Sequence, residues 1–117
     1  MDQNELKKRT KQFALRILKL TAALPSTPEA RAIRSQLSRS STSVGANYRA
    51  VCRARSKAEF IAKMGTVIEE ADESCFWLEL IIEGEFLPRS KVDALLKEAN
   101  EITAIMTSSR KTAEAGK

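Results

Sequence analysis

The chain contains no histidine. That absence removes Ser-His-Asp and Cys-His nucleophilic catalysis, the two-histidine metalloprotease helix and every His-ligated metal site. Cysteine is almost as scarce. Cys52 and Cys75 are too few for a four-ligand zinc site or a disulfide framework, and they read as buried, reduced thiols. With 4 Gly and 3 Pro in 117 residues the chain lacks the punctuation of a turn-rich β-sandwich, so long helices are expected. It has one Trp, one Tyr and four Phe, too few for a row of base-stacking rings. No long apolar run exists either. The most apolar stretch, Cys75 to Leu87, is broken by Glu79, Glu83 and Glu85, so no membrane span is expected. The first nine residues lack the apolar segment of a secretory signal, and a cytoplasmic location is expected.

What is present is charge, unevenly placed. Residues 1–63 hold 14 Lys/Arg against 4 Asp/Glu, and residues 64–117 hold 6 against 11. A basic half attracts phosphate, or the acidic half of another copy. The length fits one domain, residues 1–117.

Periodicity at about 100° per residue predicts four helices. The first runs from about Gln3 to Leu24, with Leu6, Phe13, Ile17, Leu20 and Leu24 in a narrow core stripe ended by Pro25. Thr27-Pro28-Glu29 is a start signal: a cap, a proline in the first turn and an acid at the positive helix end. The second helix then crosses a serine-rich run, Ser38 to Gly45, whose composition also suits a linker. Ile33, Leu37, Val44, Tyr48 and Val51 keep one phase across that run, so a single helix from about Pro28 to Arg53 is expected. Its small residues suit a close helix contact, and Gly45 is expected at such an interface. The third helix opens with the capping box Ser56-Lys57-Ala58-Glu59 and ends near Glu83, with Gly84 in the left-handed position after it. Its inward residues are Phe60, Met64, Val67, Ala71, Cys75, Leu78 and Ile82. The fourth starts near Ser90 with a weaker box to Asp93 and turns Val92, Leu96, Ala99, Ile102 and Met106 inward. Residues 111–117 are expected to fray. Short connections between long helices give an all-α, antiparallel up-down four-helix bundle.

Three surface features lie beyond the core. On the second helix Arg31, Arg39, Arg49 and Arg53 lie opposite the apolar side, and Arg55, Lys57 and Lys63 extend the charge. Arginine forks match phosphate oxygens, so these residues are candidates for contacts with an RNA or DNA backbone. The competing readings are a solvated face or a bridge to acids of another subunit. At the end of the third helix Phe76 and Leu80 point away from the core stripe, and Trp77 lies beside them. A helix apolar all round is covered all round, which predicts self-association through Phe76, Trp77 and Leu80, with Gly45 a further candidate for the oligomer interface. The carboxylates Glu69, Glu70, Asp72, Glu73, Glu79 and Glu83 lie off the core stripe without a histidine, so no metal, no cofactor and no catalytic residue is assigned.

The segment from Leu24 to Leu87 resembles the 23S rRNA intervening-sequence proteins. The resemblance rests on Ile33-Arg34-Ser35-Gln36-Leu37-Ser38-Arg39-Ser40, Ser43-Val44-Gly45-Ala46-Asn47, Arg55-Ser56-Lys57-Ala58-Glu59-Phe60, and Glu70-Ala71-Asp72-Glu73 running into Trp77-Leu78-Glu79-Leu80. Position 76 is Phe where the pattern commonly has Tyr. The resemblance implies a bacterial four-helix bundle, a homopentameric ring in some members, and no catalytic residues. It also implies kinship with the accessory proteins of diversity-generating retroelements, which bind a reverse transcriptase and nucleic acid. The function expected is thus a non-enzymatic oligomer that binds RNA or DNA through phosphates. The alternative is a structural adaptor that binds a protein partner and no nucleic acid.

Overall fold

The computed structural model describes residues 1–116 as four α-helices: α1 Gln3–Thr21, α2 Pro28–Cys52, α3 Lys57–Glu83 and α4 Arg89–Ala115. Among the described residues there is no strand, and no helix is long and apolar enough to cross a membrane. The helices form a rod 49 Å long and 20 Å across, consistent with a four-helix bundle. α1 packs on α2 and α4, and α3 packs on the same two, so α1 and α3 occupy opposite corners. Every inward residue expected on α1, α2 and α3 is buried except Phe60, which is half-buried at the core edge.

Local chemistry sets the ends of α1. Asp2 accepts from the Glu5 amide at 2.8 Å, and Glu5 accepts from the Asp2 amide at 3.2 Å, closing a capping box. The helix stops at Thr21, three residues before the expected end. The following turn tightens through Ala23 N–H to Leu20 O and Leu24 N–H to Thr21 O, because Leu24 precedes a proline and is steered away from helical geometry. Arg34 of α2 reaches across to this end. It donates to Thr21 O at 3.0 Å and to Leu24 O at 2.8 Å, so a cation satisfies carbonyls at the negative helix end.

The serine run of α2 is helical throughout, and Ser40 and Ser41 are fully buried. The Ser40 hydroxyl meets that of Ser74 on α3 at 2.9 Å, and Ser74 also donates to Glu70 O. On the α1 side, a Cβ added at Gly45 would lie 3.4 Å from Thr10 Oγ1 and 3.5 Å from the Thr10 backbone. Gly45 thus touches α1 of its own chain. Small side chains cost helix propensity by a few tenths of a kcal/mol each, and close packing on both flanks offsets that.

Three local expectations are corrected. First, Ser56 accepts from the Glu59 amide at 3.0 Å, but Glu59 accepts from the Arg55 amide rather than from Ser56, so the box is displaced by one residue. Second, Gly84 is right-handed at φ −82°, and the left-handed residue is Glu85 at φ 58°. Glu85 N–H bonds Ile82 O and Phe86 N–H bonds Ile81 O, the paired bonds of a Schellman ending. Glycine is needed at 84 for space: a Cβ there would lie 2.6 Å from the Phe86 ring and 2.9 Å from Leu80 O. Third, α4 has no side-chain cap. It starts one residue early after Pro88, whose carbonyl accepts from the Lys91 amide, so Ser90 already lies inside the first turn and Asp93 pairs with Arg89 at 3.4 Å. Leu95 joins Val92, Ala99, Ile102 and Met106 in the core, and Leu96 is half-buried. The tail expected to fray from Lys111 has helical geometry to Ala115, and Lys117 lies outside the described residues.

The α3 ending yields a paired prediction for urea denaturation. Glu85→Gly removes the left-handed strain of an L side chain, about 1–2 kcal/mol, against an entropic loss of about 0.5–1 kcal/mol, and should raise stability by up to about 1 kcal/mol. Gly84→Ala forces the Phe86 ring aside and should lower stability by about 1–3 kcal/mol. Equal effects of one sign from the two substitutions would contradict this geometry.

Candidate nucleic-acid interface

The cations of α1 and α2 divide into those engaged within the chain and those left free. Arg9 donates to Glu98 through Nε at 2.7 Å and to Glu101 at 2.9 Å, tying α1 to α4. Arg34 caps α1. Arg39 binds Glu70 at 2.9 Å and also Glu73, both on α3 of the same chain. Glu73 takes a further hydrogen bond from the Trp77 indole at 3.1 Å. That bond, with Arg39 behind it, holds the Glu73 carboxyl below its ordinary value, while Glu73 raises the Arg39 guanidinium. Half of the Arg39 side chain is exposed, so the pairing contributes little stability. Its main consequence is neutralisation of one arginine from the expected stripe.

The stripe therefore does not act as one surface. Arg31 is exposed, eighteen residue steps before Arg49, or about 27 Å along α2. Arg49 and Arg53 are exposed near the other end and line a groove between α1 and α2. The opposite wall carries Lys7, Lys8 and Lys11. The groove has a volume of about 650 Å³, within the range of ligand sites. Ala14, Gly45 and Ala46 keep it shallow-walled, Asn4 and Thr42 are its uncharged polar groups, and no carboxylate lines it. None of its five cations forms an ion pair among the described residues; those pairs fall on Arg9, Arg39, Lys63 and Arg89. Arg55 and Lys57 are exposed beyond the end of α2 and do not line the groove.

The three lysines supply three of the five cations of this site and were not among the sequence candidates. Their signal is present as the cluster Lys7-Lys8-Arg9 with Lys11, but only the packing of α1 on α2 sets it opposite Arg49 and Arg53. Tyr48 is buried beneath the surface and offers no face to a base.

The apolar candidates are placed as follows. Phe76 is 50% exposed and meets Trp77 edge-on, with ring centroids 5.0 Å apart. Trp77 and Leu80 are half-buried against the core. Gly45 stands apart from them, between α1 and α2. On the opposite corner Leu15 and Leu18 of α1 are 53% and 43% exposed, a second apolar patch that the narrow core stripe of α1 did not flag. Cys75 is buried beside Asn100 and Thr103, and burial pushes its thiol pKa up, so it favours the protonated form. Among the described residues no group of three or more Cys, Asp or Glu is arranged to hold a metal ion.

The model of the 23S rRNA-intervening sequence protein family matches residues 2–108. A crystal structure of a protein of unknown function from the S23 ribosomal protein family of Bacteroides thetaiotaomicron VPI-5482 superposes with a TM-score of 0.86 at 34% identity, covering 95% of this chain and 99% of that one. No curated protein matches the chain. A match spanning nearly the whole helical region places this protein in the 23S rRNA-intervening sequence protein family.

Proposed function

We propose that this protein is a non-enzymatic, homo-oligomeric, antiparallel four-helix bundle of the cytoplasm that binds RNA or DNA through backbone phosphates. The observation that carries the reading is the α1–α2 groove, where five cations converge with no carboxylate among its lining residues. Unpaired Lys and Arg exchange bound counterions for phosphates, and the gain is independent of sequence. The absence of an aromatic ring from the groove lining fits backbone contact rather than base reading. The up-down course is supported by contacts in which Thr10 faces Gly45 while Thr21 meets Arg34.

Assembly is supported by the two apolar patches on opposite corners. Thr10 faces Gly45 on α2, and Ser40 faces Ser74 on α3, so Leu15 and Leu18 stand at about the height of Phe76 along the rod. The patch on α1 of one copy against the patch on α3 of the next is a head-to-tail contact. A contact with no offset along the rod adds no rise between copies, as a ring requires, and the family resemblance implies five copies. Lys19 borders the first patch and the exposed Glu79 and Glu83 the second, so the charges suit each other. The groove lysines Lys7, Lys8 and Lys11 precede Leu15 and Leu18 along α1.

A second reading is a structural adaptor that binds a protein partner, such as a reverse transcriptase, and no nucleic acid. It draws on Arg39, whose engagement with Glu70 and Glu73 shows one arginine of the stripe already used for packing.

Light scattering at micromolar concentration should give a mass several times 13.0 kDa, and Phe76→Glu should reduce it to one chain, because an unpaired charge buried at the contact costs several kcal/mol. A parent protein that scatters as a monomer would refute the assembly. Mixed-sequence RNA or DNA should bind with micromolar affinity at physiological salt and more tightly below it. Arg49→Glu combined with Arg53→Glu should abolish that binding without loss of helix content. No binding of either nucleic acid at low salt would leave the adaptor.

A further inference from the structure

We infer that the α1–α2 groove admits a single nucleic-acid strand in preference to a duplex, with two or three successive phosphates between its walls. The inference rests on the phosphate-binding reading above and adds the form of the ligand. It follows from where the cations stand. Lys7, Lys8 and Lys11 lie on one wall and Arg49 and Arg53 on the other, so charge approaches the groove axis from two sides. α1 and α2 are in direct contact at Thr10 and Gly45, and helices this close have axes about 8–10 Å apart. A trough between such neighbours takes a lone backbone. A duplex is too wide to enter and meets only the rims. The lining runs from Asn4 to Ala14 on α1 and from Thr42 to Arg53 on α2, about 15 Å of helix. That length accommodates about two or three phosphates of a strand, fewer than the five cations available.

The small residues of the floor have a role in this. Gly45 and Ala46 present no bulk beneath the cations, and Ala14 faces them from α1. A backbone can therefore settle between the guanidinium and ammonium groups instead of resting above them. Arg31 lies outside the groove on the same helix and serves as an internal control.

The preference runs against simple electrostatics, and that makes it testable. A duplex carries a denser line of charge than a single strand, so a cationic surface without shape favours the duplex. The experiment titrates the intact protein into a fluorescently labelled mixed-sequence 12-nucleotide RNA strand and, separately, into the same strand annealed to its complement. At low salt the single strand should bind at least about 5-fold more tightly. Between 50 and 200 mM salt its affinity should fall by about 10–20-fold, the response to about three phosphate contacts at a slope of −0.7 each. Lys7→Glu and Lys11→Glu should each weaken single-strand binding by about 10-fold. Arg31→Glu, with the same change in net charge, should alter it by less than about 2-fold. Circular dichroism of each variant establishes that the helices persist. Equal or tighter binding of the duplex, or equal losses from Arg31→Glu and Lys11→Glu, would overturn the groove as the site while leaving phosphate binding intact. Failure of both nucleic acids to bind at low salt would overturn the phosphate-binding reading itself.

Discussion

The close approach of α1 and α3 to the small residues of α2 is the constraint on which the rest of this structure depends. Ser40 and Ser41 are fully buried, and the Ser40 hydroxyl meets Ser74 across the α2–α3 seam. Five residues on, Gly45 brings the backbone of α2 against Thr10. Larger side chains at these positions would push α1 and α3 outward, and overpacking of this kind costs about 1–3 kcal/mol. The buried hydroxyls are satisfied by one another and by carbonyls within their own helices, so the seam is polar without leaving orphaned groups. Because the serine run is helical, α2 is one 25-residue rod, and its outward residues keep a fixed register from end to end.

Charge is laid over that frame in two layers. Arg9, Arg34 and Arg39 each join two helices, through Glu98 and Glu101, through the carbonyls ending α1, and through Glu70 and Glu73. Each is thereby engaged within the chain, although the half-exposed Arg39 pairing adds little stability. Lys7, Lys8, Lys11, Arg49 and Arg53 form no ion pair among the described residues, and the packing of α1 on α2 gathers them. The seam that satisfies the core thus also creates the groove, since Gly45 takes part in both. Eleven of the 15 acidic residues fall on α3 and α4, and none lines the groove.

Much of this fold is legible in the residues, and the gaps have a common cause. The phase of Ile33, Leu37, Val44, Tyr48 and Val51 established α2 across a linker-like composition, and Thr27 with Pro28 marked its start. Such signals act within one helix. Where the deciding contact comes from elsewhere, the residues alone mislead. Gly84 looked like a left-handed terminator, but the Phe86 ring claims its space and shifts that conformation to Glu85. Ser90 and Asp93 carried a capping pattern, but Pro88 starts the helix a residue sooner. Arg39 shared a face with Arg49 and Arg53 by angle, yet Glu70 and Glu73 of α3 hold it. Lys7, Lys8 and Lys11 had no place in a reading of α2 alone, because their meaning depends on the neighbour across the groove. Leu15 and Leu18 escaped for a similar reason: a stripe that accounts for the core of α1 does not ask what covers its outer side.

The central claim is that phosphate backbone binds between α1 and α2, and a map of where bound RNA perturbs the protein tests it most directly. Backbone amide chemical shifts of isotopically labelled protein, followed by NMR during titration with a short single-stranded RNA at low salt, provide that map. The account predicts that the shifts concentrate on residues 4–14 of α1 and 42–53 of α2, with Lys7, Lys11, Ala46 and Arg49 among the largest. Shifts centred on the outer face of α3 or on α4, with the groove unmoved, would contradict it.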